Sequence, residues 1–180
     1  WVHQRLLVAN LRGLPQPRDV VVKLGRWLLA FDDRVNLLWS YEIRWNSYGR
    51  CAAYIPAVGD IDADGRDEVN GGYFLLDDDG APLWERPLAP HMDSVAITAW
   101  EGGRMRAVCS GGGHVMDAEG GVVLRLDEVL VRHGQEARVA RFDPADADPQ
   151  MVIRWNGHAP DARVVDTSGR IVTDFRLNDT

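Results

Sequence analysis

One short sequence pattern occurs four times in this chain, and that repetition limits the fold more than any other feature. Ala30-Phe31-Asp32-Asp33 leads to Leu37-Leu38-Trp39, and Leu75-Leu76-Asp77-Asp78-Asp79-Gly80 leads to Leu83-Trp84. Val115-Met116-Asp117-Ala118-Glu119-Gly120 leads to Val123-Leu124, and Val164-Val165-Asp166-Thr167-Ser168-Gly169 leads to Ile171-Val172. Each stretch reads as two apolar residues, an aspartate, a polar turn and a second apolar run. The aspartate and glycine supply turn chemistry between two strands, which predicts a β-hairpin. The anchoring residues Asp32, Asp77, Asp117 and Asp166 are 45, 40 and 49 residues apart.

Two more strand-like runs precede each hairpin: Leu6–Ala9 with Val20–Lys23, Tyr54–Val58 with Glu68–Asn70, Val95–Trp100 with Arg106–Cys109, and Ala137–Phe142 with Met151–Trp155. Four strands in about 40–50 residues is the period of a β-propeller blade. A solenoid would repeat at a shorter period, and a sandwich would not repeat its turn sequence. The expected fold is therefore all-β, built of four-stranded antiparallel blades spanning approximately 6–45, 50–88, 91–128 and 133–178. Only Asp127–Val131 reads as a short helical turn. Four such blades are expected to belong to a larger ring, with further blades of the same parent chain as partners, because an open arc exposes apolar faces and strand edges.

Composition narrows the function. The chain has 180 residues and a net charge of -7, so nothing favours nucleic acid. No apolar run approaches the ~20 residues that span a bilayer. The chain opens on Trp1 and is expected to be a processed or excised piece, so the lack of a leader says nothing about compartment. Cys51 and Cys109 sit at non-equivalent repeat positions, which favours two buried thiols over a disulfide. Trp39 and Trp84 share a repeat position and are expected between blades. Trp27, Trp45 and Trp155 fall near a polar face, where they either pack in the core or stack on sugar rings.

The second unit carries a further signal, Asp60-Ile61-Asp62-Ala63-Asp64-Gly65-Arg66-Asp67-Glu68. Alternating carboxylates would repel one another in a strand or helix, but they suit a hard divalent cation that takes six to eight oxygens, and the glycine allows the sharp turn. The metal set is Asp60, Asp62, Asp64, Arg66 and Glu68, with Ca2+ as the expected ion and a solvated acidic turn as the alternative. Alignment on the first-strand apolar residues puts Asn10, Asp60, Ala99 and Arg141 at the first loop position. Arg12, Asp62, Glu101 and Asp143 stand at the third. Only the second loop keeps all its acids. Arginines in the first and fourth loops stand where a metal's charge would otherwise serve, and Asp143, Asp146 and Asp148 form a weaker candidate site.

The acidic loop followed by Gly72–Trp84, together with His133-Gly134-Gln135-Glu136 and Arg154-Trp155-Asn156-Gly157-His158, resembles FG-GAP or integrin-α-like propeller repeats. More closely it is similar to the calcium-rich propeller of the rhamnogalacturonan lyases and related polysaccharide lyases. That resemblance implies a calcium-stabilised, secreted or periplasmic protein acting on uronate-containing polysaccharide by β-elimination.

Strand alternation separates two faces. The loops between first and second strands lie on one, so calcium there stiffens a blade. The starts of the inner strands and the turns between second and third strands lie on the other. His91 and His133 fall at the same offset before their inner strands. With Tyr48 and Arg50 they form the candidate catalytic set, since a lyase needs a cation against the uronate carboxylate and a base for the adjacent proton. Gln135, Glu136, Asn156 and His158 are candidate ligand contacts. Each histidine has an equally plain structural use as a hydrogen-bonding link between blades, and no metal-binding histidine spacing points to zinc. A non-catalytic propeller binding glycans or proteins, or a structural domain beside an enzyme, remain the competing functions.

Overall fold

The computed structural model describes residues 5–47, 50–86, 88, 92–155 and 161–176. It contains four antiparallel four-stranded sheets in chain order. The first runs β1 (Arg5–Ala9), β2 (Asp19–Leu24), β3 (Trp27–Phe31), β4 (Leu37–Glu42). A small hairpin, β5 (Asn46–Ser47) with β6 (Arg50–Cys51), separates it from the second sheet. That sheet holds β7 (Ala57–Gly59), β8 (Glu68–Asn70), β9 (Phe74–Leu76) and β10 (Pro82–Glu85). The third holds β11 (Val95–Ala99), β12 (Met105–Cys109), β13 (His114–Met116) and β14 (Val122–Arg125). After a helical turn at Asp127–Leu130 come β15 (Glu136–Ala140), β16 (Gln150–Trp155), β17 (Asp161–Val165) and β18 (Ile171–Arg176). These are the up-and-down blades that the repeat predicts.

The repeated aspartate closes each hairpin. Asp32 accepts the N–H groups of Arg34 and Asn36, and Asp166 accepts those of Ser168 and Arg170. A one-residue register shift follows in all four hairpins, after Ala30, Pro82, Val115 and Val164. Such a bulge absorbs the extra turn residue and raises the local twist.

The same turns join the blades. Gly80, Gly120 and Gly169 have φ of 83°, 80° and 85°. The outer strand of the preceding blade packs directly on each of them. A Cβ would lie 2.7 Å from the Trp39 ring at Gly80, 2.8 Å from Trp84 at Gly120 and 2.8 Å from Leu124 at Gly169. Trp39 Nε1 also donates to the Asp78 carbonyl at 2.7 Å. These glycines thus serve both the backbone conformation and the close approach. The first turn has Val35 at the equivalent place, with φ 64°.

Apolar clusters fill the spaces between sheets. Leu11, Val21, Leu28 and Tyr41 meet Val69, Tyr73, Phe74 and Leu76. Leu75 and Trp84 meet Ala107 and Met116, and Trp100, Val108 and Val115 meet Ala137, Met151 and Ile153. Trp45 stacks on Tyr73 with centroids 5.7 Å apart, Arg163 lies 4.9 Å over the Trp155 ring, and Trp27 is exposed. The thiol of Cys109 is buried and free, and burial pushes its pKa up to about 12. The outward face of the first sheet, with Leu6, Val8 and Trp27, is exposed and apolar.

Candidate metal centre and rim site

Antiparallel pairing fixes the two faces. Val95 pairs with Cys109 at one end of the third blade, and Ala99 pairs with Met105 at the other. The acidic loop leaves β7 at the second kind of end, where Gly59 pairs with Glu68.

The loop folds on its own carboxylates. Asp60 accepts the N–H groups of Asp64 and Gly65 at 3.1 and 3.0 Å, and Asp62 accepts from Asp64 at 3.1 Å. Ala63 and Gly65 have φ of 67° and 89°, which wraps the chain inward. Oxygens of Asp60, Asp62 and Glu68 come within 4.8 Å of one another. Two oxygens bound to one calcium lie at most ~5 Å apart, so this spacing admits a shared ion.

Glu68 is the decisive member. It is 0 % exposed, its Oε2 accepts the Ile61 N–H at 2.7 Å, and its buried Oε1 has no hydrogen-bond partner. A buried carboxylate oxygen without a partner is costly unless a cation completes it. Burial, reinforced by Asp62, Asp64 and Asp60, pushes the Glu68 pKa up to about 8. A divalent ion would reverse that balance, so the residues fit calcium.

The other members of the expected set are placed differently. The Asp64 carboxylate accepts the Arg66 N–H at 2.8 Å and lies outside the group of three. The Arg66 guanidinium reaches Asp78 at 2.8 Å. Among the described residues Asp143, Asp146 and Asp148 do not assemble into a second acidic group. Asp143 accepts from the Ala145 N–H, Asp146 from Gln150 Nε2, and Asp148 from the Gly102 N–H of the third blade.

On the opposite face the inner-strand starts meet along a rim. Ile55 and Ser94 form a parallel bridge, and Ser94 Oγ accepts the Ala137 N–H at 2.9 Å. His133 adopts φ 56°, unusual for a residue with a side chain. Its imidazole is 47 % exposed, with Nε2 3.8 Å from Oδ2 of Asp93, itself 15 % exposed. A Cβ on the adjacent Gly134 would fall 1.9 Å from the Ser110 carbonyl, so the turn is clamped to the third blade. Gln135 accepts from Arg154 at 2.6 Å, and Glu136 pairs with Arg138 at 2.8 Å. Residues 48, 91, 156 and 158 lie outside the described set, so Tyr48, His91, Asn156 and His158 have no placement, and of Arg50 only the backbone is described.

Several rim residues are structural or newly prominent. His114 is buried with Nδ1 2.7 Å from the Gly111 carbonyl, and Asn70 bonds the carbonyls of Ala96 and Val108. Lys23, nearly buried, donates to the Ala53 carbonyl at 2.6 Å and lies 5.7 Å over the Tyr54 ring. The His133–Asp93 pairing and the Lys23–Tyr54 contact join different blades, so spacing along one unit could not reveal them.

No protein-family model matches the chain, and no curated protein matches it. Solved structures do. A rhamnogalacturonan lyase of Bacillus licheniformis is 18 % identical with TM-score 0.74, covering 98 % of this chain and 32 % of its own. The exotype rhamnogalacturonan lyase YesX is 18 % identical with TM-score 0.74, covering 95 % and 32 %. The V. cholerae biofilm matrix protein Bap1 is 15 % identical with TM-score 0.70, covering 94 % and 28 %. The chain thus spans about a third of the length of these proteins and shares their fold over almost its whole extent. The FG-GAP part of the resemblance rests on sequence motif alone.

Proposed function

We propose that this chain is a calcium-stabilised β-propeller segment of an extracytoplasmic, carbohydrate-active protein similar to the rhamnogalacturonan lyases. The observation that carries the calcium part is the partnerless, buried Oε1 of Glu68 beside Asp60 and Asp62. Likeness to lyases acting on a uronate polysaccharide supports the carbohydrate part.

In this reading the loop is scaffold and the rim is where sugar binds. His133 is the candidate proton acceptor, with Asp93 orienting its ring and stabilising the imidazolium after transfer. Tyr48, Arg50 and His91 complete the proposed catalytic set, with an arginine offsetting the uronate carboxylate so that the neighbouring C–H becomes acidic. Gln135, Glu136, Asn156 and His158 are the proposed sugar contacts.

The test is incubation of this chain, and of the longest reading frame carrying it, with pectic polysaccharides while following ultraviolet absorbance from unsaturated uronate. The reading expects absorbance to rise with the native sequence and to be lost in His133→Ala at unchanged melting temperature. A second reading, a non-catalytic glycan-binding module, is favoured by the likeness to a biofilm matrix protein. Glycan binding without unsaturated product would select it.

A further inference from the structure

The four blades allow an internal comparison at one position. In each, the last residue of the inner strand pairs with the first residue of the second strand: Ala9 with Asp19, Gly59 with Glu68, Ala99 with Met105, and Ala140 with Gln150. In the first, second and fourth blades the second-strand residue bonds its loop, each time in a different way, whereas Met105 of the third packs against the apolar cluster that it shares with the second blade.

In the second blade Glu68 takes one backbone N–H and leaves one buried oxygen open. In the first blade Asp19, also 0 % exposed, takes the Arg12 N–H at 3.1 Å and the Arg12 guanidinium at 2.8 Å. The same guanidinium reaches Asp33 at 2.8 Å, joining the strand acid to the hairpin acid. A positive group thus sits between two carboxylates. In the fourth blade Gln150 Oε1 takes the N–H groups of Phe142 and Asp143 at 2.8 and 3.0 Å, as Glu68 Oε2 takes that of Ile61. Its Nε2 donates to Asp146 Oδ2 at 2.8 Å and to the Asp148 carbonyl at 3.1 Å. An amide N–H group therefore serves acceptors that a cation would otherwise hold. The third blade has Met105 and a short loop without the acid set.

The geometry points to the residue opening each second strand as the one that decides whether a blade takes a divalent cation, with Arg12 and the Gln150 amide as the chain's own replacements for that ion in the first and fourth blades. This rests on the metal reading of the second loop. A carboxylate there with no internal cation draws an ion. A carboxylate already paired with an arginine, or an amide or a thioether in its place, does not. The chain then binds one ion, although its loops hold enough acids for more.

The experiment is calorimetric titration of chelator-stripped protein with calcium chloride alone, with melting curves as the fold control. Native protein is expected to bind one ion, Glu68→Gln none and Gln150→Glu two. In Gln150→Glu one carboxylate oxygen keeps the Phe142 N–H and the other faces Asp146 and the Asp148 carbonyl. Its melting temperature is also expected to depend on chelator more than that of the native protein. A folded Gln150→Glu that still binds one ion, beside a native protein that binds one and a Glu68→Gln that binds none, overturns this inference and leaves the metal reading standing. Native protein and Gln150→Glu that both bind nothing overturn the two together. Should Gln150→Glu fail to fold, Arg12→Asn carries the test. Loss of the guanidinium is expected to let Asp19 and Asp33 take a second ion, and a melt equally low with and without calcium overturns the inference.

Discussion

Asp19 and Glu68 hold the same place in consecutive blades, and both are fully buried carboxylates. Around Asp19 the chain supplies a positive group, donating through backbone and side chain at about 3 Å. Around Glu68 it supplies more negative ones, and an oxygen is left with no partner. The first arrangement is complete within the protein. The second is stable only if the charge that Arg12 provides next door comes from solution. Burial alone does not separate a structural acid from a ligand; the sign of what surrounds it does.

Arg12→Ala should break the first arrangement and lower the melting temperature more than any other change described in this section, because Asp19 is then buried beside Asp33 without a counter-charge. Calcium should restore part of that loss. For the native protein, calcium at a hundred times its dissociation constant should add about 2.7 kcal/mol by mass action, read as a shift of the melting curve against chelator. Glu68→Gln should abolish that shift and, in chelator, melt above the native protein, since folding then no longer requires a carboxylate to take up a proton and the amide oxygen is kept for the Ile61 N–H.

In chelator, pH should act in an unusual direction. The Glu68 pKa is raised in the folded state, to about 8, so the folded protein binds the extra proton. Stability should fall as pH rises from the unfolded value toward about 8, and calcium should flatten the profile. The smallest effect expected is that of Asn10→Ala. Asn10 joins the two loops, donating to the Gly65 carbonyl at 3.2 Å while its backbone N–H binds Asp67 at 2.7 Å. Losing its side chain should cost ~1 kcal/mol, with hydrogen exchange rising at both loops.

The repeat exposed the blades because each hairpin is a local device: aspartate, turn and bulge lie within a few residues. The acidic loop was readable for the same reason, and so was the idea that arginine in the first loop replaces a metal's charge. What could not be read is whatever crosses between strands or blades. Trp39 and Trp84 were legible as inter-blade residues, yet the glycines they cover belong to the next unit. The partner of Arg12 is Asp19, across a loop whose sequence gives no register. Arg141 stood out in the fourth loop by its charge, but it bonds the Ala147 carbonyl, and it is the uncharged Gln150 that hydrogen-bonds Asp146. The acids of that loop suggested a second site because the sequence does not show that Asp148 is held by the third blade, while Asp143 and Asp146 bond within their own loop. On the rim, equal offsets singled out His133, but its strained backbone and its pairing with Asp93 arise where two blades meet.

Glu68, with its buried and partnerless Oε1, is the carboxylate that takes calcium in the second loop, and the burial that raises its pKa makes a proton compete with the ion there. Calcium titration calorimetry at neutral pH, repeated in buffers of different ionisation enthalpy, counts the protons released per ion bound. With a Glu68 pKa near 8, close to one proton should be released at pH 7, falling toward zero well above that value. Calcium binding with no proton release at pH 7, or with unchanged affinity in Glu68→Gln, would contradict that role for Glu68.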